Sequence, residues 1–316
     1  MKINKIILMF SILTSSGLTV AMQPLDDQSL SSTTGQDGIN VGIGIEKITF
    51  NQASLIDKDG ISTQVVGKDY NNKAALSVAG TTNTPVAINF VGATAGNSVI
   101  NAKVDTDAGS NKAFANIAVG FANGVSAIKV SPFAVYSVGS SSISNKNSQQ
   151  SIFNASGGVN ADVSKILTIG SATNSFEINF HNSNSPQVNI QLGDVPQSHM
   201  LQFSGAIQAI CGTGSGCPIA IVSGNSGAQF DMQMKATDTT NGFLLKGLYA
   251  GVEQNGLVVG HTGNTSKMNV YFNNVTMGTI STSTPTSFNG LSNSSMGNFG
   301  ATGASVKDLK VNIRGL

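Results

Sequence analysis

Two cysteines carry the clearest chemistry in this sequence. Cys211 and Cys217 enclose five small, flexible residues, Gly-Thr-Gly-Ser-Gly, which can bring the two sulfur atoms together. An exported chain meets an oxidising compartment, where such a pair forms a disulfide, and so short a loop stabilises a fold by about 2 kcal/mol. A metal site would need several ligands, and His199 is the one further candidate nearby. We therefore predict a disulfide between Cys211 and Cys217 and no metal site.

The other residues with catalytic potential are not arranged as an active site. His181, His199 and His261 each stand in a polar, turn-like context, which is typical of solvated or hydrogen-bonded histidines. The sequence has no G-x-S-x-G nucleophile elbow, and residues 212–216 are not followed by the Lys of a phosphate-binding loop. Residues 42–44 lack the rest of a dinucleotide fingerprint. We predict that the protein is not an enzyme and uses no cofactor.

Two segments with acidic residues could be either calcium-binding loops or ordinary surface turns. Residues 57–60 (DKDG) are a strong hairpin-turn signal, because Asp-Gly favours tight turns. Ile61 and Lys68 then occupy positions where an EF-type loop needs ligands. Residues 105–111 place oxygen-bearing side chains at alternate positions, but no bidentate Glu follows at the required distance. We favour surface turns in both places.

The start of the chain has the features of an export signal. Lys2 and Lys5 give a positive beginning, residues 6–20 are mostly apolar, and residues 19–21 (TVA) form a small-x-small cleavage site. The apolar run is too short and too interrupted for a membrane span of about 20 residues. We expect cleavage after Ala21, export across the inner membrane of a Gram-negative bacterium, and no membrane span after cleavage. The destination is then the periplasm, the outer surface or a fimbrium, and a retained anchor is the alternative.

The composition narrows the choice of partner. The 17 basic and 16 acidic residues nearly balance and form no basic run. This argues against nucleic acid, because phosphate neutralisation supplies most of that affinity. Charged residues make up 10% of the chain, against roughly 25% in ordinary domains. Few charges give weak protection against self-association, which suits a protein that assembles.

Residues 22–38 predict a short capped helix and a turn. Asp26 is the expected N-cap, since its carboxylate can accept hydrogen bonds from the free N–H groups of the first turn. Leu25 and Leu30 then take the two positions of a hydrophobic staple. Gly35 can end the helix in a left-handed conformation, and residues 36–38 (QDG) turn the chain.

The next residues predict a long strand with one apolar face. Apolar residues alternate with polar residues and glycines, at Ile39, Val41, Ile43 and Ile45. The apolar parity then shifts to Ile48 and Phe50, which predicts a bulge near Glu46 or Lys47.

These segments also carry a resemblance to a known family. The run PLDDQSLSSTTGQDGI behind the leader and the run SLIDKDGI at residues 54–61 resemble the start of the FilA-type pilus-system proteins of Acinetobacter-like bacteria. The resemblance covers residues 22–61, and beyond them only the Gly/Asn/Ser/Thr-rich β character agrees. It implies an exported, surface-associated, fimbria-linked protein and brings no catalytic motif.

In the rest of the chain, apolar and polar residues alternate in one short segment after another, and these predicted strands follow each other at spacings of roughly 8–15 residues. The clearest cases lie near the end. Residues 268–273 predict a strand with residues 275–280 as its partner, residues 281–303 are polar and Gly-rich, and residues 305–316 predict a closing strand with Leu309, Val311 and Ile313 on one face.

The pattern predicts an all-β fold, either an elongated antiparallel β-sandwich or a rolled sheet, with one short N-terminal helix after the signal peptide. The expected organisation is a signal peptide at residues 1–21, a capped helix and turn at 22–38, and an all-β region at 39–316. Two halves split near residues 139–160 are the alternative to a single β region.

The function that these observations favour is a structural or accessory role in a pilus or fimbria-type system involved in adhesion. Its partners would be other pilus-system proteins, further copies of itself, or a receptor on a host or abiotic surface. Assembly could add an alternating segment to a neighbour's open sheet edge. The candidate strand-exchange residues are Ile39, Val41, Ile43, Ile45, Leu309, Val311 and Ile313.

Two other classes stay open. The first is an adhesin or glycan-binding β module, with recognition in the polar segments 139–160 and 281–303. Trp is absent, so a sugar-stacking platform would depend on Tyr136, Tyr249 or Tyr271. The second is an outer-membrane barrel or a secreted hydrolase, for which the sequence lacks aromatic girdles and a nucleophile–base pair.

Overall fold

A computed structural model of the protein describes residues 38–65, 67–70, 72–107, 113–143, 150–193, 199–214, 216–224, 226–254, 256–280 and 288–314. The chain divides into two compact units, Met1–Ile39 and Asn40–Leu316. The expected signal peptide and the short capped helix lie outside the described residues. The second unit is built from β-strands, with no α-helix in its described part, and the all-β prediction is thereby confirmed.

The strands of the described residues are, in chain order, β1 (Ile39–Ile43), β2 (Lys47–Phe50), β3 (Gln52–Asp57), β4 (Ile61–Val65), β5 (Lys68–Tyr70), β6 (Ala74–Gly80), β7 (Val86–Val91), β8 (Ile100–Asp107), β9 (Phe114–Phe121), β10 (Ala127–Val130), β11 (Phe133–Val138), β12 (Val163–Ile169), β13 (Phe176–Phe180), β14 (Gln187–Gly193), β15 (Leu201–Ser204), β16 (Ala206–Ile210), β17 (Cys217–Ser223), β18 (Ser226–Ala236), β19 (Phe243–Leu244), β20 (Leu248–Glu253), β21 (Gly256–His261), β22 (Met268–Ile280), β23 (Phe288–Ala304) and β24 (Lys310–Ile313). A 3-10 turn, Ser140–Ser142, lies between β11 and β12.

These strands form two large sheets. The first has eight strands, and their order across the sheet is their order along the chain, β1-β8-β9-β14-β15-β20-β21-β24. The second has 14 strands in the order β2-β7-β10-β13-β16-β18-β17-β12-β11-β6-β3, with β19 beside β16 and with β22 between β18 and β23. A third sheet contains β4 and β5 alone. The described pairings of neighbouring strands are antiparallel.

Both large sheets are built from one repeated unit. We call this unit a crossing: a continuous segment of chain that contributes at least one strand to each sheet. Successive crossings are neighbours in both sheets, so the fold is a meander in which each crossing lies beside the one before it. The crossings in the described residues span 39–57, 74–107, 114–138, 163–193, 201–223, 226–253, 256–280 and 288–313.

The crossings pass from one sheet to the other over short segments such as residues 44–46, and we call this region the corner. At this corner the backbones of neighbouring crossings approach closely: Gly92 has φ +84°, and a Cβ atom there would collide with the carbonyl oxygen of Gly124. The corner also corrects one prediction. The expected long strand does not continue through a bulge near Glu46 or Lys47; β1 ends at Ile43 and β2 begins at Lys47 in the other sheet. The shift in apolar parity therefore marks a bend between sheets.

One hydrophobic core fills this corner. The ring of Phe121, on β9 of the first sheet, lies 4.6 Å from the ring of Phe180 and 6.2 Å from that of Phe90, both on the second sheet. Val99, Ile207 and other apolar residues pack around them. Burial of these rings holds the two sheets together at the bend.

A second core lies on the 14-stranded sheet. Small residues on β6 and β11, Ala79 and Ala134 among them, leave room for the fully buried ring of Tyr136. Ile143 and Ile152, from the segment between β11 and β12, cover this cluster. Part of the segment that the sequence offers as a domain boundary therefore packs on a core.

Asp162, which directly precedes β12, forms hydrogen bonds with the segment that covers this core. Its carboxylate accepts hydrogen bonds from the Ser141 hydroxyl (2.5 Å), the Ser142 hydroxyl (2.5 Å) and the Ser142 N–H (2.9 Å). The bond from Ser141, followed by that from Ser142, lowers the pKa of Asp162 to about 2.

Acid is expected to loosen the covering segment between about pH 4 and pH 2. Because the pKa of Asp162 is lower in the folded chain than its ordinary 3.8, its contribution to stability is present above pH 4 and is lost as the pH falls toward 2. Asp162→Asn leaves one acceptor oxygen in place of two for these hydrogen bonds and should cost about 1 kcal/mol at pH 7, and less at pH 2.5. Urea unfolding at both pH values tests this, with Asp59→Asn in an exposed turn as the control. An equal cost at both pH values would contradict it.

Two local predictions need correction. The turn at Asp59-Gly60 is present, since the N–H groups of both residues donate to the Asp57 carboxylate and Gly60 has φ +75°. However, the strands on either side of it do not form a hairpin, because β3 pairs with β6 and β4 pairs with β5. Residues 268–273 and 275–280 are likewise not partners but parts of one strand, β22.

Candidate functional site

The structure places the two groups of candidate strand-exchange residues at opposite edges of the eight-stranded sheet. Ile39, Val41 and Ile43 lie on β1, the first strand of that sheet, and Val311 and Ile313 lie on β24, the last. Leu309 directly precedes β24. All of these side chains are exposed. The fold therefore does not bring the two groups together; each stands at its own edge.

The edge strands are anchored on their inner sides. The N–H of Val99 donates to the carbonyl oxygen of Ile43 over 2.8 Å, and the N–H of His261 donates to that of Leu309 over 2.8 Å. On β24, Val311 is opposite Val259 of β21. No described strand pairs with the outer side of β1 or of β24, so both strands offer backbone hydrogen-bonding groups to a further strand.

Ile45 differs from the other candidates. It lies in the bend after β1 and packs against the corner core that contains Phe90 and Phe180. Its side chain stabilises the bend, so it is not placed for contact with another chain.

The same edges extend into the second sheet through residues that the sequence did not single out. β2 and β3, from the first crossing, end the 14-stranded order, and β23, from the last crossing, pairs with β22 alone among the described strands. Ile48, Leu55 and Phe299 are exposed on these strands. The sequence prediction also missed β23 itself, because residues 281–303 were expected to form a polar loop, whereas Phe288–Ala304 is a strand. Its alternation is weak, since Gly, Asn and Ser fill most of it.

A polar cleft opens on the eight-stranded sheet, with a volume of about 700 Å³. Asn189, Gln202 and Tyr249 line it, and the strand register brings them into one row across β14, β15 and β20. The ring of Tyr249 stacks on that of His199, with centroids 3.8 Å apart. The Oδ1 atom of Asn189 is buried and has no hydrogen-bond partner, so a ligand donor in the cleft could satisfy it.

Two of the three histidines, His199 and His261, line the cleft, and His181 is not among the residues that line it. His181 Nε2 lies 2.8 Å from the carbonyl oxygen of Thr240. His261 is buried, with Nε2 at 3.1 Å from the carbonyl oxygen of Lys246. Within the described ranges, no three His, Cys, Asp or Glu side chains are grouped closely enough to hold a metal ion.

The cysteines behave as expected. Cys211 and Cys217 are buried at disulfide distance, with their Cα atoms 5.2 Å apart. The loop between them forms the bend from β16 to β17. The Gln233 amide holds it by donating to the carbonyl oxygens of Gly212 and Gly214, each at 3.2 Å.

The three tyrosines that the sequence offers for stacking on a sugar are also separated. Tyr136 is fully buried and its hydroxyl donates to the carbonyl oxygen of Gly80 over 2.8 Å. It is therefore unable to stack on a ligand. Tyr271 lies on β22, and Tyr249 is the tyrosine that borders the cleft.

The described residues thus define an all-β protein whose candidate sites are two sheet edges and one polar cleft. Residues 1–121 match the model of a family of unknown function (DUF6160), to which this part of the chain is similar. Neither a curated protein nor a solved structure matches the sequence. Among the described residues, no helix has the length and apolar character needed to span a membrane.

Proposed function

We propose that the protein is a non-enzymatic, exported surface protein that acts as a structural or accessory component of a pilus or fimbria-type system involved in adhesion. The observation that carries the proposal is the pair of sheet edges. β1 and β24 both expose apolar side chains, and no described strand pairs with their outer backbone groups; such an edge binds a further strand through main-chain hydrogen bonds.

Other features support this proposal. The cysteine pair is compatible with an oxidising, extracytoplasmic location. The low charge favours association. The resemblance of residues 22–61 to FilA-type pilus-system proteins and the expected signal peptide at residues 1–21 both favour export. The proposal includes an elongated sandwich or rolled arrangement of the sheets and the short N-terminal helix.

The polar cleft favours a second candidate function, glycan binding by an adhesin. Amides on Asn189 and Gln202, the hydroxyl of Ser204 and the stacked rings of His199 and Tyr249 border it. Neutral hydrogen-bonding groups beside an aromatic ring suit a sugar hydroxyl pattern.

Deleting the gene is expected to remove or shorten surface fibres, and antibody labelling of intact cells should find the protein outside the cell. Electron microscopy of the deletion strain, with and without the restored gene, measures both. Fibres unchanged in number and length, or a protein confined to the cytosol, would contradict the proposal. Restoration with Asn189→Ala/Gln202→Ala separates the candidates: normal fibres with weakened attachment would favour glycan binding.

A further inference from the structure

The two free edges of the fold are each made by a single crossing. Residues 39–57 supply β1 to the edge of the first sheet and β2 and β3 to the ends of the second. Residues 288–313 supply β24 to the opposite edge of the first sheet and β23 to that of the second. Each edge is therefore a nearly continuous strip of strand that belongs to both sheets.

The two strips run in opposite directions. The chain reverses direction from each crossing to the next, and an even number of crossings places the first and the last antiparallel. A strand like β24, set beside a strand like β1, would therefore continue the antiparallel alternation of the sheet.

The β1 part of the first strip is also chemically unprotected. Proteins guard a free sheet edge with charged residues, with Pro or with a covering element. Residues 39–45 (INVGIGI) contain neither a charge nor Pro. On β24 the ammonium group of Lys310 is drawn inward, 3.3 Å from the Glu253 carboxylate on β20, which leaves Val311 and Ile313 as the exposed apolar side chains of that edge.

We infer that the partner of each edge is a second copy of this chain, joined head to tail, with β24 of one copy pairing antiparallel with β1 of the next. The register would place Val311 and Ile313 in the apolar row of Ile39, Val41 and Ile43. β23 would in the same way adjoin β2 and β3 of the next copy. This deepens the proposed fibre role by naming the partner of the edges.

Such a contact joins two different surfaces, so it does not close into a dimer and it builds a filament. Each copy adds eight strands to the first sheet. With neighbouring strands about 4.8 Å apart, the repeat along the filament is expected to be about 38 Å.

Charges placed at one edge at a time test the pairing. Val41→Lys blocks the β1 edge and Val311→Lys blocks the β24 edge, and both side chains are already about two-fifths exposed, 41% and 43%. Val252→Lys is the matched control, because Val252 is 69% exposed on β20, inside the sheet. If either edge variant fails to fold by circular dichroism, Ile39→Lys and Ile313→Lys replace them.

Sedimentation velocity and negative-stain electron microscopy of the purified mature protein give the readout. The wild-type protein and the Val252→Lys variant should form filaments as the protein concentration rises. Each edge variant alone should stay monomeric, with pairing weakened at least tenfold. A mixture of the two edge variants should form a dimer and stop there, because one intact β1 edge then meets one intact β24 edge.

Three outcomes would overturn the inference: a wild-type protein that stays monomeric, a mixture of edge variants that stays monomeric, or a Val311→Lys variant that dimerises alone through two β1 edges. The test is independent of the cell-surface role. Monomers in solution together with fibre loss in the deletion strain would leave the proposed function standing without this partner. Filaments in solution from a protein that never reaches the cell surface would support the head-to-tail pairing and contradict the proposed function.

Discussion

Tyr136→Ala is expected to lower the free energy of unfolding by about 3–5 kcal/mol, the usual cost of removing a buried aromatic side chain. The ring of Tyr136 is fully buried between alanines of β6 and β11 and the covering residues Ile143 and Ile152. It also meets the Phe153 ring edge to face, with centroids 6.0 Å apart. Small neighbours on a sheet cannot move inward to fill the cavity, so urea unfolding should show a large loss.

Tyr136→Phe is the control for the Tyr136→Ala variant, because it keeps the ring and removes the hydroxyl that donates to Gly80. It should cost about 1 kcal/mol. Burial raises the pKa of Tyr136 to about 12, so the wild-type phenol should stay protonated up to that pH while the chain is folded. Equal losses for the Ala and Phe variants would show that the hydrogen bond, and not the ring volume, holds this core together.

Phe180→Ala should destabilise the corner core by a similar amount, about 3–5 kcal/mol. Phe180 lies on β13, between β10 and β16, and its ring packs on that of Phe121 from the other sheet. Its removal leaves a cavity where the two sheets meet, so both should loosen together. Urea unfolding followed by fluorescence of the tyrosines measures the loss.

Phe299→Ala makes the same chemical change on the exposed strand β23, where the ring is 51% exposed. It should change the free energy of unfolding by less than about 0.5 kcal/mol. Comparable losses for the variants at positions 180 and 299 would mean that the corner is not a packed core.

Strand positions could be predicted from the sequence where apolar and polar residues alternate clearly, because alternation is a local property. Residues 176–180 and 310–313 are strands for this reason. Strand partners could not be predicted in the same way. The turn at Asp59-Gly60 has the right local chemistry, but β3 pairs with β6, because pairing depends on apolar matches far along the chain.

The candidate sites also differ in whether they depend on local sequence or on strand pairing. The cysteine loop is a local feature and its geometry could be predicted. The cleft needs Asn189, Gln202 and Tyr249 to be aligned by the register of three strands, and spacing in the sequence does not encode that register. The position of β1 and β24 at opposite edges likewise depends on the in-order pairing of all eight crossings.

The in-order meander also bears on how this molecule could change its size. Because the described strands of each crossing pair only with strands of the crossings next to it, a hairpin unit of two consecutive crossings could be duplicated or lost while both terminal strips kept their orientation. Gain or loss of a single crossing would instead reverse one strip relative to the other. Length variants of this scaffold should therefore differ by whole hairpins.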